Sequence, residues 1–237
     1  MKKLFALLVC LVAFMVHGQE RYFTLYSFTA NPKDHGTVYQ LVHDFYSKNK
    51  PAGVTVSLYE NHLSNAGNQT THTIVFSGTL DAVGGMYTGD PSESFELFLT
   101  RLNGHISESG ASVSGHTLSA HGDASQPHPI QRVVLLDVED EANFLEGFNK
   151  FNSSHRPADM TIATGVIDIG HAPDGANHWV VLGFKDFKSA LGGATKMLSG
   201  AALDARNKAW DEYMASLDSH GGVKLVSTGL RILLGEW

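Results

Sequence analysis

The apolar positions of this chain change period several times, and each change marks an element. Residues 22–30 (Tyr-Phe-Thr-Leu-Tyr-Ser-Phe-Thr-Ala) alternate and are rich in aromatic and β-branched types, which predicts a strand. After a turn at residues 31–36, Val38, Leu41, Val42 and Phe45 fall at i, i+3, i+4 and i+7. That is the stripe of an amphipathic helix, ending near Lys50-Pro51. Residues 54–59 alternate strictly and run on to His62 as a half-buried strand, and residues 72–78 form its hairpin partner. Phe95, Phe98, Leu102 and Ile106 mark a second helix, with a serine cap available in Pro91-Ser92-Glu93-Ser94. Residues 111–120 read as a weaker fourth strand. The predicted order is β-α-β-β-α-β, the ferredoxin-like unit.

The same order returns in the second half. Residues 132–138 are strand-like, and Phe144, Phe148 and Phe151 mark a helix. Residues 160–169 and 178–184 predict a second hairpin. Residues 190–197 and 203–217 are helical with a break at Gly200, and residues 223–234 close as a strand. Local sequence repeats as well. Pro51-Ala52-Gly53-Val54-Thr55-Val56 matches Pro157-Ala158-Asp159-Met160-Thr161-Ile162 at an offset of 106, and Ala82-Val83-Gly84-Gly85 matches Ala190-Leu191-Gly192-Gly193 at 108. Two anchored matches at nearly one offset are the signature of an internal duplication. The expected organisation is a leader over residues 1–18, one repeat over 19–123, a polar Pro-bearing linker over 124–129 and a second repeat over 130–237.

Composition adds a compartment. Lys2-Lys3 followed by the apolar run from Leu4 to Val16, with Val16 and Gly18 at −3 and −1 of a cleavage point, reads as a bacterial secretory leader. The run is too short for a stable membrane anchor, and Cys10 follows Val9 rather than the small residue that a lipoprotein needs. The expected location is therefore the periplasm or the exterior. Removing the leader takes away the chain's one cysteine, so neither disulfides nor thiol chemistry is expected. It also removes two lysines, leaving 15 Lys+Arg against 24 Asp+Glu, a net of −9. That balance, without clustered basic residues, disfavours nucleic acid and anionic membranes. Roughly 220 residues can bury a core without staples.

Candidate chemistry centres on histidines that bracket the two hairpins. His62 and His72 flank a turn-rich loop, and His171 and His178 flank Ala172-Pro173-Asp174-Gly175-Ala176-Asn177. Imidazoles facing each other across a hairpin could converge on a divalent metal such as zinc or copper. The alternative is that they are solvated ends of strands. Strand parity favours the alternative, because His62 shares a face with Val54, Val56 and Leu58 whereas His171 lies an odd number of residues from Met160 and Ile162. Trp179 is expected to face opposite to His178. Phosphate loops, the G-x-S-x-G elbow and the H-E-x-x-H helix are all missing from the sequence.

Two tandem ferredoxin-like repeats on one chain resemble the dimeric α+β barrel superfamily, in which two such sheets pack face to face. The resemblance rests on element order and duplication. It implies relatives among small-molecule monooxygenases, stress-response barrel proteins, haem-degrading enzymes and the chlorite dismutase and dye-decolorising peroxidase group. In the duplicated haem proteins a proximal histidine lies in the C-terminal repeat, and the comparable position here is His155. The GxxDG signature of the dye-decolorising branch is missing. Fold does not fix function, so two classes stay open. One is an exported binding protein holding a small-molecule ligand between the sheets, as a monomeric pseudo-dimer or a homodimer. The other is a haem- or metal-dependent oxidoreductase. In the first, Val54, Val56 and Leu58 meet the helices while Thr55, Ser57 and Tyr59 line the space between the sheets. The ligand then lies near Tyr59 and Trp179 with a hairpin histidine at the mouth.

Overall fold

The computed structural model describes residues 20–64, 70–170, 172 and 175–237. Residues 1–18, the expected leader, and His171 lie outside them. Eight strands alternate with seven helices: β1 (Tyr22–Ala30), α1 (His35–Tyr46), β2 (Val54–Leu63), β3 (His72–Gly78), α2 (Leu80–Gly85), α3 (Glu93–Asn103), β4 (Ile106–His121), β5 (Ile130–Val138), α4 (Glu141–His155), β6 (Met160–Gly170), β7 (His178–Phe184), α5 (Phe187–Gly192), α6 (Ala194–Met197), α7 (Gly200–Asp218) and β8 (Val223–Glu236). The expected α+β class with two β-α-β-β-α-β repeats is what the chain adopts. All strand pairs are antiparallel and close into a barrel in the order β1-β3-β2-β8-β5-β7-β6-β4. Each half contributes its strands in the order fourth, first, third, second.

Several boundaries differ from expectation for local reasons. Ile106 opens β4 instead of continuing α3, because the helix ends at Asn103 with Gly104 as its cap and the extended chain pairs with β1 from Ala30↔Ile106 onward. The short helix α2 carries too few apolar positions to show a period, and is started by Thr79, whose side chain accepts from Ala82 N at 3.2 Å. The helical stretch 187–218 breaks twice, at Gly193 (φ +66°) and again before Gly200. Asp140, Asp186 and Ser92 cap α4, α5 and α3 in the same way as Thr79 caps α2.

Alternation along the strands sorts side chains to the two sides of the wall. On the outside of the first half, Val54, Val56, Leu58, Ile74 and Phe76 pack against Val38 and Val42 of α1 and Phe98 and Leu102 of α3. On the outside of the second half, Leu136, Val138, Met160, Ile162, Val180 and Phe184 face Phe144, Phe148 and Phe151 of α4 and Tyr213 and Leu217 of α7. The opposite faces turn inward. There the ring of Trp179 meets Phe23 edge-on at 5.7 Å, and the Arg231 guanidinium lies 4.0 Å from the centre of the Tyr59 ring.

The halves join at two seams, β2 with β8 and β4 with β6, and both ladders carry register shifts. Such bulges add the local twist that closure requires. Gly165 of β6 pairs with Thr117 across the second seam and with Trp179 of β7 on its other side. A Cβ on Gly165 would lie 2.0 Å from the His116 carbonyl oxygen and 2.5 Å from the Trp179 ring, so the position must lack a side chain. Gly165→Ala should therefore lower unfolding free energy by about 1–3 kcal/mol, the range for overpacking a tight site, and chemical denaturation monitored by Trp fluorescence would measure it.

Candidate functional site

β2 and β6 run the same way along the barrel, so both hairpins turn at one end. The described bracketing histidines, His62, His72 and His178, belong to that end, but they do not converge. His62 is exposed, bonded to Glu60 at 3.2 Å, with its ring edge-on to Phe187. His72 and His178 occupy equivalent positions, each opening the third strand of its repeat, and both turn outward beneath a helix N-terminus. His72 is 1% exposed, stacks on Phe28 at 5.5 Å and meets the His35 ring at 4.9 Å. His178 is 4% exposed, with Nε2 3.2 Å from Glu141 Oε2, Nδ1 2.8 Å from Asn177 Oδ1, and its ring edge-on to Phe144. His35 and Glu141 are themselves equivalent, each the first residue of its helix. His72 and His178 are thus two separate buried imidazoles, and among the described residues no three His, Cys, Asp or Glu side chains are placed to hold a metal.

Burial holds both imidazoles below the ordinary histidine range. Burial, with the His35 charge adding to it, brings His72 down from 6.5 to about 4. Burial also lowers His178, opposed by the Glu141 carboxylate. The unfolded chain takes up a proton at His72 near pH 6.5, whereas the folded chain resists until about pH 4, so this stability is complete above 6.5 and is lost as pH falls between them. His72→Leu should flatten the acid limb of the stability profile over that window, as read from denaturation midpoints against pH.

Tyr59 and Trp179 point into the barrel as expected, and the interior holds a small pocket of about 120 Å³ at the hairpin end, with Leu25, Ser27, Asn61, Thr73 and Arg231 among its walls. None of the described hairpin histidines lines it. The larger space lies elsewhere, on the outer face of the second sheet beneath α4 and α7, with a volume of about 800 Å³. Its floor is Val134, Leu136, Ile162, Val180 and Leu182, and its roof is Phe144, Phe148, Phe151, Tyr213 and Leu217. Trp210, Leu191 and Leu225 line it and are also exposed to solvent, marking its open side. Among the described residues its only charged lining groups are Arg132 and Arg206. Arg206 stacks on Phe151 at 4.6 Å and donates to the His155 carbonyl at 2.8 Å, and Arg132 donates to the Leu191 carbonyl at 2.7 Å.

One contact in the roof is especially close. Gly147 sits mid-helix in α4, and a Cβ there would lie 2.3 Å from the Tyr213 ring, whose hydroxyl donates to the Phe144 carbonyl at 3.2 Å. Gly147→Ala gains about 1 kcal/mol of helix propensity and meets an overpacking penalty of about 1–3 kcal/mol. A net loss of stability is expected in thermal denaturation, opposite to the usual sign for this substitution in a helix.

Haem was one implied occupant, and the lining residues can be tested against it. No histidine or cysteine lines the chamber among the described residues. His155 packs its ring 5.9 Å from Phe151 at the end of α4 and is not part of the lining, and Tyr213 already spends its hydroxyl proton on a carbonyl. This donor set does not fit a haem iron.

No family model and no curated protein matches the chain. Solved structures match along nearly its whole length. A monooxygenase-like protein of Lactobacillus acidophilus is 12% identical over 90% of this chain and 93% of its own, with a TM-score of 0.58. A monooxygenase-like protein of Fusobacterium nucleatum is 15% identical over 91% and 93%, with a TM-score of 0.56. A chlorite dismutase-like protein is 12% identical over 92% and 96%, with a TM-score of 0.51. The likeness is one of fold, and the fold is that of the ferredoxin-like dimeric α+β barrel proteins, carried here on a single chain.

Proposed function

We propose that this protein binds a small, mostly apolar molecule carrying a negative or strongly hydrogen-bond-accepting end, in the chamber beneath α4 and α7. The observation that carries this reading is the chamber itself. Its volume of about 800 Å³ and its aromatic lining match those of ligand sites, which bury an apolar body and orient it with a few polar groups. Arg132 and Arg206 supply those groups. Neither has a carboxylate partner among the described residues, so an anionic group on the ligand would meet a cation that the fold has left uncompensated. This moves the ligand from the space between the sheets to the outside of one of them. Tyr59, His62, His72, His178 and Trp179 then shape the barrel rather than touch the ligand. The exported location expected from residues 1–18 belongs to the same proposal, and N-terminal sequencing of native material beginning near Gln19 would support it.

A fluorescent aromatic sulfonate such as anilinonaphthalene sulfonate combines fused rings with an anion and serves as the probe. The wild-type protein should bind it saturably at one site. Leu182→Trp, which fills the floor, should abolish that binding while leaving the fold intact by circular dichroism. Arg206→Met should weaken it about tenfold, the loss of one charge-assisted hydrogen bond. Equal binding by Leu182→Trp would sink the proposal. A Soret band on adding haemin, lost in His155→Ala, would instead favour the oxidoreductase alternative.

A further inference from the structure

Arg231 presents a separate puzzle inside the barrel. It stands on β8 between Asn61 of β2 and Gln131 of β5, with its side chain turned to the interior. Its Nε donates to Gln131 Oε1 at 2.9 Å and its plane lies over Tyr59. Those two contacts hold the guanidinium in place and leave its two terminal nitrogens without a hydrogen-bond partner among the described residues. No carboxylate lies within salt-bridge distance of it among those residues. Arg231 is half-buried, and a cation partly withdrawn from water favours an anionic partner. Burial pushes this group below the ordinary arginine range, yet arginine does not give up its proton in a protein.

The space beside it has the character of the missing partner. The 120 Å³ pocket borders Arg231 and is walled on its polar side by Ser27, Asn61, Thr73 and Ser227. Ser27 and Thr73 hydroxyls bond to each other at 3.1 Å, and Asn61 Nδ2 donates to Thr73 Oγ1 at 3.0 Å, so these groups form a preset polar wall. The Ser227 hydroxyl makes no hydrogen bond of its own among the described residues and remains available to donate. Leu25, Val113 and Leu135 close the opposite side. Its volume of about 120 Å³, against about 800 Å³ for the outer chamber, suits a small ion.

We propose that the barrel interior is a binding site for a small planar carboxylate, held in bidentate fashion by the terminal nitrogens of Arg231 with Ser227 as an additional donor. This site is distinct from the outer chamber: the two cavities adjoin at Leu63, Ser64 and residues 228–230, but Arg231 and Ser227 border only the inner one and Leu182 only the outer one.

Acetate is the probe. Titrating sodium acetate into the full protein at pH 7, against sodium chloride at equal ionic strength, should give a saturable rise in Tm of a few degrees, together with line broadening of ¹³C-acetate. Arg231→Met should abolish both responses, and Arg231→Lys should weaken them several-fold because an ammonium cannot form the fork. Ser227→Leu, which fills the pocket and leaves the arginine, should also abolish them and decides the matter if Arg231→Met does not fold. Leu182→Trp, which blocks only the outer chamber, should respond like the wild type. A wild-type response no greater than that to chloride would overturn the proposal, as would a response that survives in Ser227→Leu or is lost in Leu182→Trp.

Discussion

Everything in this molecule depends on two edges being paired. A ferredoxin-like sheet in the order fourth, first, third, second has two free margins, and a free margin is a row of unpaired amide and carbonyl groups. Here each margin meets the margin of the other half, β2 with β8 and β4 with β6. The pairing runs to the last residue, with Trp237 exchanging both backbone hydrogen bonds with Val56 at 2.9 and 3.0 Å. Closure forces strong curvature, the bulges and the side-chain-free position at Gly165 supply it, and the interior can then hold Phe23, Trp179, Tyr59 and Arg231. The polar inner face of β2 is tolerable only because the wall is closed around it.

Outside the wall the two halves solve one packing problem differently. In the first, Phe45, Tyr46, Phe95 and Phe98 stack among themselves between α1, α3 and the sheet, and Trp237 seals the flank by donating from Nε1 to His43 at 3.1 Å. In the second, α7 is the longest helix, and it packs on α4 through Tyr213, Trp210 and Phe151. Aromatic side chains that could have filled the space over the sheet are spent on holding the two helices to each other. A hollow of about 800 Å³ remains between that pair and the strands.

Much of this was legible in the residues. The doubled element order follows from periodicity, and alternation in residues 54–59 correctly sets Val54, Val56 and Leu58 under the helices and Tyr59 inside. The same parity put Trp179 opposite His178. The seams were not legible, because edge pairing between distant strands depends on backbone geometry that side-chain patterning does not record. The position of the chamber was hidden for a related reason. Phe144, Phe148 and Phe151 spell a buried helix face whether the helix rests on the sheet or stands off it, and the close approach of α4 to α7 joins Gly147 and Tyr213, far apart in sequence. One signal was available: a glycine in the middle of α4, with no turn to explain it, marks a close approach by something bulky.

Carrying both halves on one chain has a consequence for how such a protein can change. In a homodimer of single repeats every substitution is made twice, so a hollow beneath one pair of helices would be matched by a second, and its destabilising cost would double. Here His35 and Glu141 stand at the same place in the two halves and are different residues, and so do the filled and the hollow helix layers. One half is free to drift toward a new occupant while its neighbour, unaltered, continues to hold the barrel shut.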